Sequence, residues 1–144
     1  MATYYDLILD IMNERQKTIK DLEDNKILGK NTFYSFRRND PSLKSLIEIS
    51  NFLEVPIDYL IGKTTDSTPF KKYKLKQSDF YNKLEGLIRA SSLSRTKLCN
   101  ELDMTRKNLL RWKNGTTPTI SKLMALANYF QCNIDDLLDH DKSA

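Results

Sequence analysis

The 144-residue chain has little of what most small functional sites are built from: 4 Gly, 4 Pro, 2 Cys, 1 His and 1 Trp. So few glycines and prolines leave few chain breaks and predict long regular elements. No glycines cluster, which excludes a Gly-rich phosphate loop. Cys99 and Cys132 lie far apart and form no CxxC pair, so neither a zinc site nor a disulfide framework is indicated. Both sit among apolar residues and read as small core fillers. The single histidine, His140, falls in the polar C-terminal stretch "DHDKSA", and "IDDLLDHD" reads as a helix end with solvated acids. No metal, no cofactor and no enzymatic activity are expected. No apolar run approaches the ~18–20 residues of a membrane span. The opening "MATYYDLILD" carries acids where a signal peptide carries Lys or Arg, so a cytoplasmic protein is expected.

What is present is enough to fold: 40% of residues are hydrophobic and 29% charged. Net charge is +4, and its distribution says more than its size. Residues 1–66 hold 9 Lys/Arg and 11 Asp/Glu, a balance of 9 − 11 = −2; residues 67–144 hold 14 and 8, a balance of 14 − 8 = +6. A basic face belongs to the second half.

The chain also repeats itself. "PSLKSLIEISNFLEVPIDYLIG" (41–62) aligns with "PTISKLMALANYFQCNIDDLLD" (118–139) at an offset of 77. Leu46 meets Leu123, Ile49 meets Leu126, and Ile57-Asp58 meets Ile134-Asp135. Before the prolines the offset is 76, pairing Leu22 with Leu98, Leu28 with Met104, Phe33 with Leu109 and Phe36 with Trp112. The one-residue change falls in a loop, where closure entropy barely alters.

Each copy reads as five helices and no strand. Leu7, Ile8, Ile11 and Met12 keep helical spacing, as do Phe80, Leu84, Leu87 and Ile88. Thr18 and Ser94 are N-caps for a short second helix. Gly29 and Thr105 open a third, whose buried stripe is Phe33/Phe36 or Leu109/Trp112. Ser42 and Thr119 cap a fourth, and residues 57–61 and 134–138 make a short fifth. The expected organisation is a first domain at 1–62, a basic linker at 63–77 and a second domain at 78–144. The linker half "KKYKLK" reads either as a solvated tether or as an arm on a phosphate backbone.

From Ser94 to Gly115, two short helices join through a turn at 102–104. With Leu109 and Trp112 turned inward, Arg106, Lys107 and Arg111 face outward. A helix fits the B-DNA major groove, where Arg or Lys reaches guanine O6 and N7. This is the layout of a helix-turn-helix. Trp112 and Phe36 read as core residues, not stacking platforms.

These residues, "LSRTKLCNELDMTRKNLLRWKNG" followed by Pro118 and "LMALANYFQCNIDDLL", carry a resemblance. Each copy resembles the five-helix lambda-repressor-like, Xre-type DNA-binding domain of bacterial and phage regulators, over 4–62 and 79–139. The resemblance implies an all-α fold of two tandem helix-turn-helix domains. It implies base contacts from Arg106, Lys107 and Arg111 in the second copy and from Lys30, Asn31 and Ser35 in the first. Phosphate contacts are implied for Arg95 and for Asn114 beside Gly115. Asn108 and Lys113 on the same helix, with Arg37 and Arg38 in the first copy, complete the candidate set. The first copy departs from the pattern: Ile19 replaces Arg95, Glu23 stands where Cys99 does, and the helix "IKDLEDN" is acidic. Arg37 and Lys113 replace a frequent Glu.

The function implied is a sequence-specific, double-stranded DNA-binding transcriptional regulator, a repressor of phage or mobile-element type without an effector domain. The alternative is a helix-turn-helix protein that binds another protein, as an antirepressor or an inhibitor of a host defence system. A homodimer and a protein partner for the first domain stay open; a membrane partner is not expected.

Overall fold

A computed structural model describes residues 3–67 and 70–140. Among them are eight α-helices and two 3-10 helices. The β pairing recorded there is an isolated antiparallel bridge between Tyr73 and His140. The chain divides into two compact units, Met1–Leu75 with His140–Ala144, and Lys76–Asp139.

The first unit holds α1 (Tyr4–Glu14), α2 (Ile19–Asp24), a 3-10 helix (Phe33–Arg37), α3 (Leu43–Leu53) and α4 (Ile57–Leu60). The second holds α5 (Phe80–Ala90), α6 (Arg95–Glu101), α7 (Arg106–Lys113), α8 (Ile120–Tyr129) and a 3-10 helix (Ile134–Leu137). Helix starts recur at the sequence offsets: 80 − 4 and 95 − 19 give 76, while 120 − 43 and 134 − 57 give 77.

Side-chain caps set these starts. Thr3, Thr18 and Thr105 each form a capping box with the residue three positions on. Ser42, Ser94 and Thr119 each accept a backbone N–H through the side-chain oxygen. With glycine scarce, turns after helices use other residues in the left-handed region, among them Gln16, Lys26 and Glu54, then Ser92, Asp103 and Gln131.

Each unit has its own apolar core. Ile8, Leu22, Leu46, Ile49, Ile57 and Leu60 are fully buried in the first; Leu84, Leu98, Leu123, Leu126, Ile134 and Leu137 in the second. Each such side chain contributes about 1.5–3 kcal/mol relative to exposure. Phe36 and Trp112 are buried as expected. Tyr5 packs on Phe33 with ring centroids 4.9 Å apart, and Phe80 meets Trp112 edge-on at 5.8 Å.

Three expectations need correction. The third helix of the first unit does not open at Gly29; it is a 3-10 helix starting at Phe33. Gly29 sits where Thr105 caps α7 and has no side chain to accept an N–H. Thr32, where Asn108 completes the other capping box, makes no cap hydrogen bond. Asn31 turns left-handed at φ 67°, so the chain enters the turn late. The segment 63–77 is not a free linker either: Tyr73 is fully buried in the first unit, which runs to Leu75. Residues 68–69 of it lie outside the described residues. Finally, "IDDLLDHD" does not end in solvated acids: Asp139 is buried and pairs with Lys83 at 3.1 Å, and the His140 ring next to it lies 4.7 Å from that of Tyr73. Residues 141–144 lie outside the described residues.

Candidate nucleic-acid interface

The turn between α6 and α7 positions the candidate face. Asp103 adopts φ 52°, and the Met104 N–H donates to the Cys99 carbonyl at 2.8 Å. Met104 is buried, so the turn is pinned on both chain and side chain. Helix α7 then starts under its own cap. The Asn108 N–H donates to Thr105 Oγ1, and Asn108 Oδ1 accepts from the Thr105 N–H at 3.0 Å.

On α7, Leu109 and Trp112 are buried at 4% and 5% exposure. That three-residue spacing makes the buried stripe; Lys107, Leu110 and Arg111 lie opposite it, and Arg106 and Lys113 flank it. Arg106, Lys107, Arg111, Lys113 and Asn114 are all exposed. Helix α7 has no acid in its first turn. Two cations at the positive end of a helix cost about 0.3–1 kcal/mol each, and an anion at that end reverses the sign. Gly115 follows at φ 106°, a conformation side-chain-bearing residues rarely adopt, and turns the chain away behind Asn114.

Of the sequence candidates, Asn108 stands apart, because its side-chain oxygen is engaged at the helix cap. Arg95 is half-buried at the start of α6 and is held from α5. Its guanidinium donates to Glu85 Oε1 at 2.6 Å, and Arg89 reaches the same oxygen at 3.3 Å. A hydrogen bond with Tyr81, then the Glu85 carboxylate, raise the Arg95 pKa above its ordinary value, so it stays charged. Beyond the i, i+4 spacing of Glu85 and Arg89, no local pattern signals this pairing.

The first unit does not gather its candidates in the same way. Lys30 and Asn31 precede the 3-10 helix and do not lie on it. Ser35 donates its hydroxyl to the Thr32 carbonyl at 2.6 Å. Arg37 lies 4.3 Å from the Tyr5 ring centroid and donates to the Tyr5 hydroxyl at 3.1 Å. That stacking fixes the 3-10 helix to α1. Arg38 remains exposed beside it.

One further exposed side chain lies on α7 outside the sequence candidates. Leu110 is 58% exposed on α7, between the positions of Arg106 and Arg111. The sequence signal was available: it is one position past the buried Leu109, off the stripe.

Residues 83–143 match the Cro/C1-type HTH DNA-binding domain. This part of the chain is a DNA-binding helix-turn-helix of a kind used in transcription regulation, with α6 and α7 as its two helices. The match begins inside α5 and leaves residues 1–82 outside it. No curated protein and no solved structure matches the chain. Among the described residues, no group of three or more His, Cys, Asp and Glu is placed to hold a metal ion. No helix there is long and apolar enough to cross a membrane.

Proposed function

We propose that the chain is a sequence-specific transcriptional repressor of phage or mobile-element type that reads double-stranded DNA with α7 of its second unit. One observation carries this: α7 turns Arg106, Lys107 and Arg111 outward, free of any acid on that helix, over a buried Leu109 and Trp112. Arg106 and Arg111 would take guanine edges, and Lys107 a base edge or phosphate. Leu110, apolar and exposed among cations, suits a thymine methyl group. Arg95, oriented by Glu85, and Asn114 would meet phosphates on either side, fixing register without reading sequence. Occupying an operator is an action such a bundle performs by itself, and repression follows from occupancy.

We also propose that the two units are tandem copies of one helix-turn-helix design. The recurring helix starts and the matching buried positions support it. Two linked heads raise each other's effective concentration, to ~mM for short linkers. The first head is the weaker reader in this scheme, because its acidic α2, its short 3-10 helix and its engaged Arg37 leave few outward cations. Those same features favour a second role for it in contacting protein.

Selection of bound duplexes from a random pool tests the reading. Recovery of one preferred sequence, and lowered expression of a reporter carrying it upstream, are expected. A pool that stays random through selection contradicts sequence-specific reading; a reporter that rises contradicts repression.

A further inference from the structure

The first unit carries an open groove of about 690 Å³ that neither its core nor the proposed DNA face uses. Its apolar lining, or floor, is Ile27, Phe52 and Leu75; its basic lining, or rim, is Lys26, Lys72 and Lys74. Helix α3 supplies one wall, with Glu48, Asn51 and Phe52 on one helical face. The segment 72–75 supplies the other. That wall is fastened: Tyr73 is fully buried, and its hydroxyl accepts the Ile57 N–H at the start of α4, at 2.8 Å.

The chemistry of the lining points to an occupant. Leu75 is 65% exposed, the most exposed large hydrophobic residue among those described. Leu75 lines the groove together with Ile27 and Phe52, and an exposed apolar patch rimmed by charged groups is the pattern of an interaction site. Lysines dominate the rim: Lys26, Lys72 and Lys74 stand against the single carboxylate of Glu48, and Lys17 lies 5.3 Å over the Phe52 ring. Residues 1–66 are net acidic, and Lys72 and Lys74 come from the basic stretch that follows them.

From this complementarity we infer that the groove is a docking site for an acidic peptide segment of a partner protein, one large apolar side chain seated on Ile27, Phe52 and Leu75 and flanking carboxylates on the rim lysines. A duplex backbone fits the rim but has nothing apolar to seat on the floor. The volume falls within the ~300–1,000 Å³ range of ligand-holding clefts and accommodates a side chain or two. Exposed ion pairs add little each, so the floor carries affinity and the rim carries choice of partner. This site does not depend on DNA reading by α7.

The test uses the full chain and short random peptides displayed for selection. The expected consensus is a bulky apolar residue flanked by Asp or Glu. A labelled peptide of that consensus should bind about tenfold or more weakly to Leu75→Glu and to Lys72→Glu/Lys74→Glu. The same peptide with its acids changed to Lys should recover binding to the double variant. Both variants alter exposed positions, leave Tyr73 and Asn51 in place and should keep duplex binding by the second unit. A consensus without acids, or equal binding to wild type and variants, overturns the proposal. So does displacement of the peptide by a single-stranded oligonucleotide that binds more tightly, since the groove is then a nucleic-acid site. Loss of duplex affinity in Lys72→Glu/Lys74→Glu with peptide binding unchanged also overturns it, since the rim then serves DNA.

Discussion

The side-chain amide of Asn51 pairs with both backbone groups of Tyr73: Oδ1 accepts the Tyr73 N–H at 2.9 Å, and Nδ2 donates to the Tyr73 carbonyl at 3.1 Å. The second unit repeats the device with different residues. Gln77 Oε1 accepts the Asp139 N–H at 2.6 Å, and Gln77 Nε2 donates to the Asp139 carbonyl at 3.0 Å. In each case a carboxamide imitates a neighbouring strand and satisfies a chain that has no sheet to join. Asp139 is further held by the Asp79 N–H at 2.8 Å and by Lys83 at 3.1 Å.

The clasp on Tyr73 makes a stability prediction. Tyr73→Phe leaves the buried Ile57 N–H without its acceptor and should lower the stability of the first unit by about 1–3 kcal/mol. Denaturant unfolding of residues 1–75 measures it. An unchanged midpoint contradicts the capping role. For the same reason, a fragment ending at Thr68 lacks Tyr73 and should be less stable than one ending at Leu75.

Acid should weaken the first unit through its capping boxes. Backbone and then side-chain hydrogen bonds from Thr3 hold the Asp6 carboxyl below its ordinary 3.8, and those from Thr18 do the same for Asp21. A carboxylate whose folded pKa is depressed contributes its stability above the unfolded value and loses it as pH falls through the folded one. The thermal midpoint should therefore begin to drop as pH falls below about 4, and Asp21→Asn should flatten the drop. A midpoint equally pH-dependent in Asp21→Asn would show that this box does not contribute.

Trp112 is predicted to act as core alone. Trp112→Ala should cost about 3–5 kcal/mol and remove duplex binding by unfolding the second unit. Trp112→Phe should destabilise less and keep duplex affinity near wild type. A folded Trp112→Phe variant that no longer binds duplex would place the indole on DNA instead.

Base reading by α7 can be dissected residue by residue. Arg106→Ala should cost about 1–3 kcal/mol on the preferred duplex and relax one base pair. Arg95→Ala should weaken all duplexes alike and flatten the salt slope by about one unit. Replacing thymines by deoxyuridine one at a time should reveal one position that matters for wild type and not for Leu110→Ala. If no thymine methyl is sensed, Leu110 does not read DNA.

Much of the fold was legible in the sequence because the informative residues act locally. Threonine and serine caps and the i, i+3 stripes fix helix starts and buried faces within a turn or two. What escaped depends on distant partners or on small side-chain differences. Tyr73 looked like part of a basic arm because its partners, Asn51 and Ile57, are far along the chain. The 3-10 helix of the first unit follows from Gly29 lacking a capping oxygen, a difference the hydrophobic repeat does not register. At the interface, the outward set on α7 was readable from spacing. The attachment of Arg95 to Glu85 and of Arg37 to Tyr5 was not, because each links separate helices. The cap that engages the Asn108 side-chain oxygen is local, but its position on the helix did not announce it.

The most direct test of the central claim is the salt dependence of binding to the selected duplex, for wild type and for Arg106→Glu/Lys107→Glu. For wild type, the logarithm of affinity should fall with the logarithm of salt with a slope of about −0.9 per phosphate contact. The double variant should stay folded, since both positions are exposed, and should lose specific binding. Equal affinity and equal slope in the two proteins would falsify the account of α7 as the DNA-reading helix.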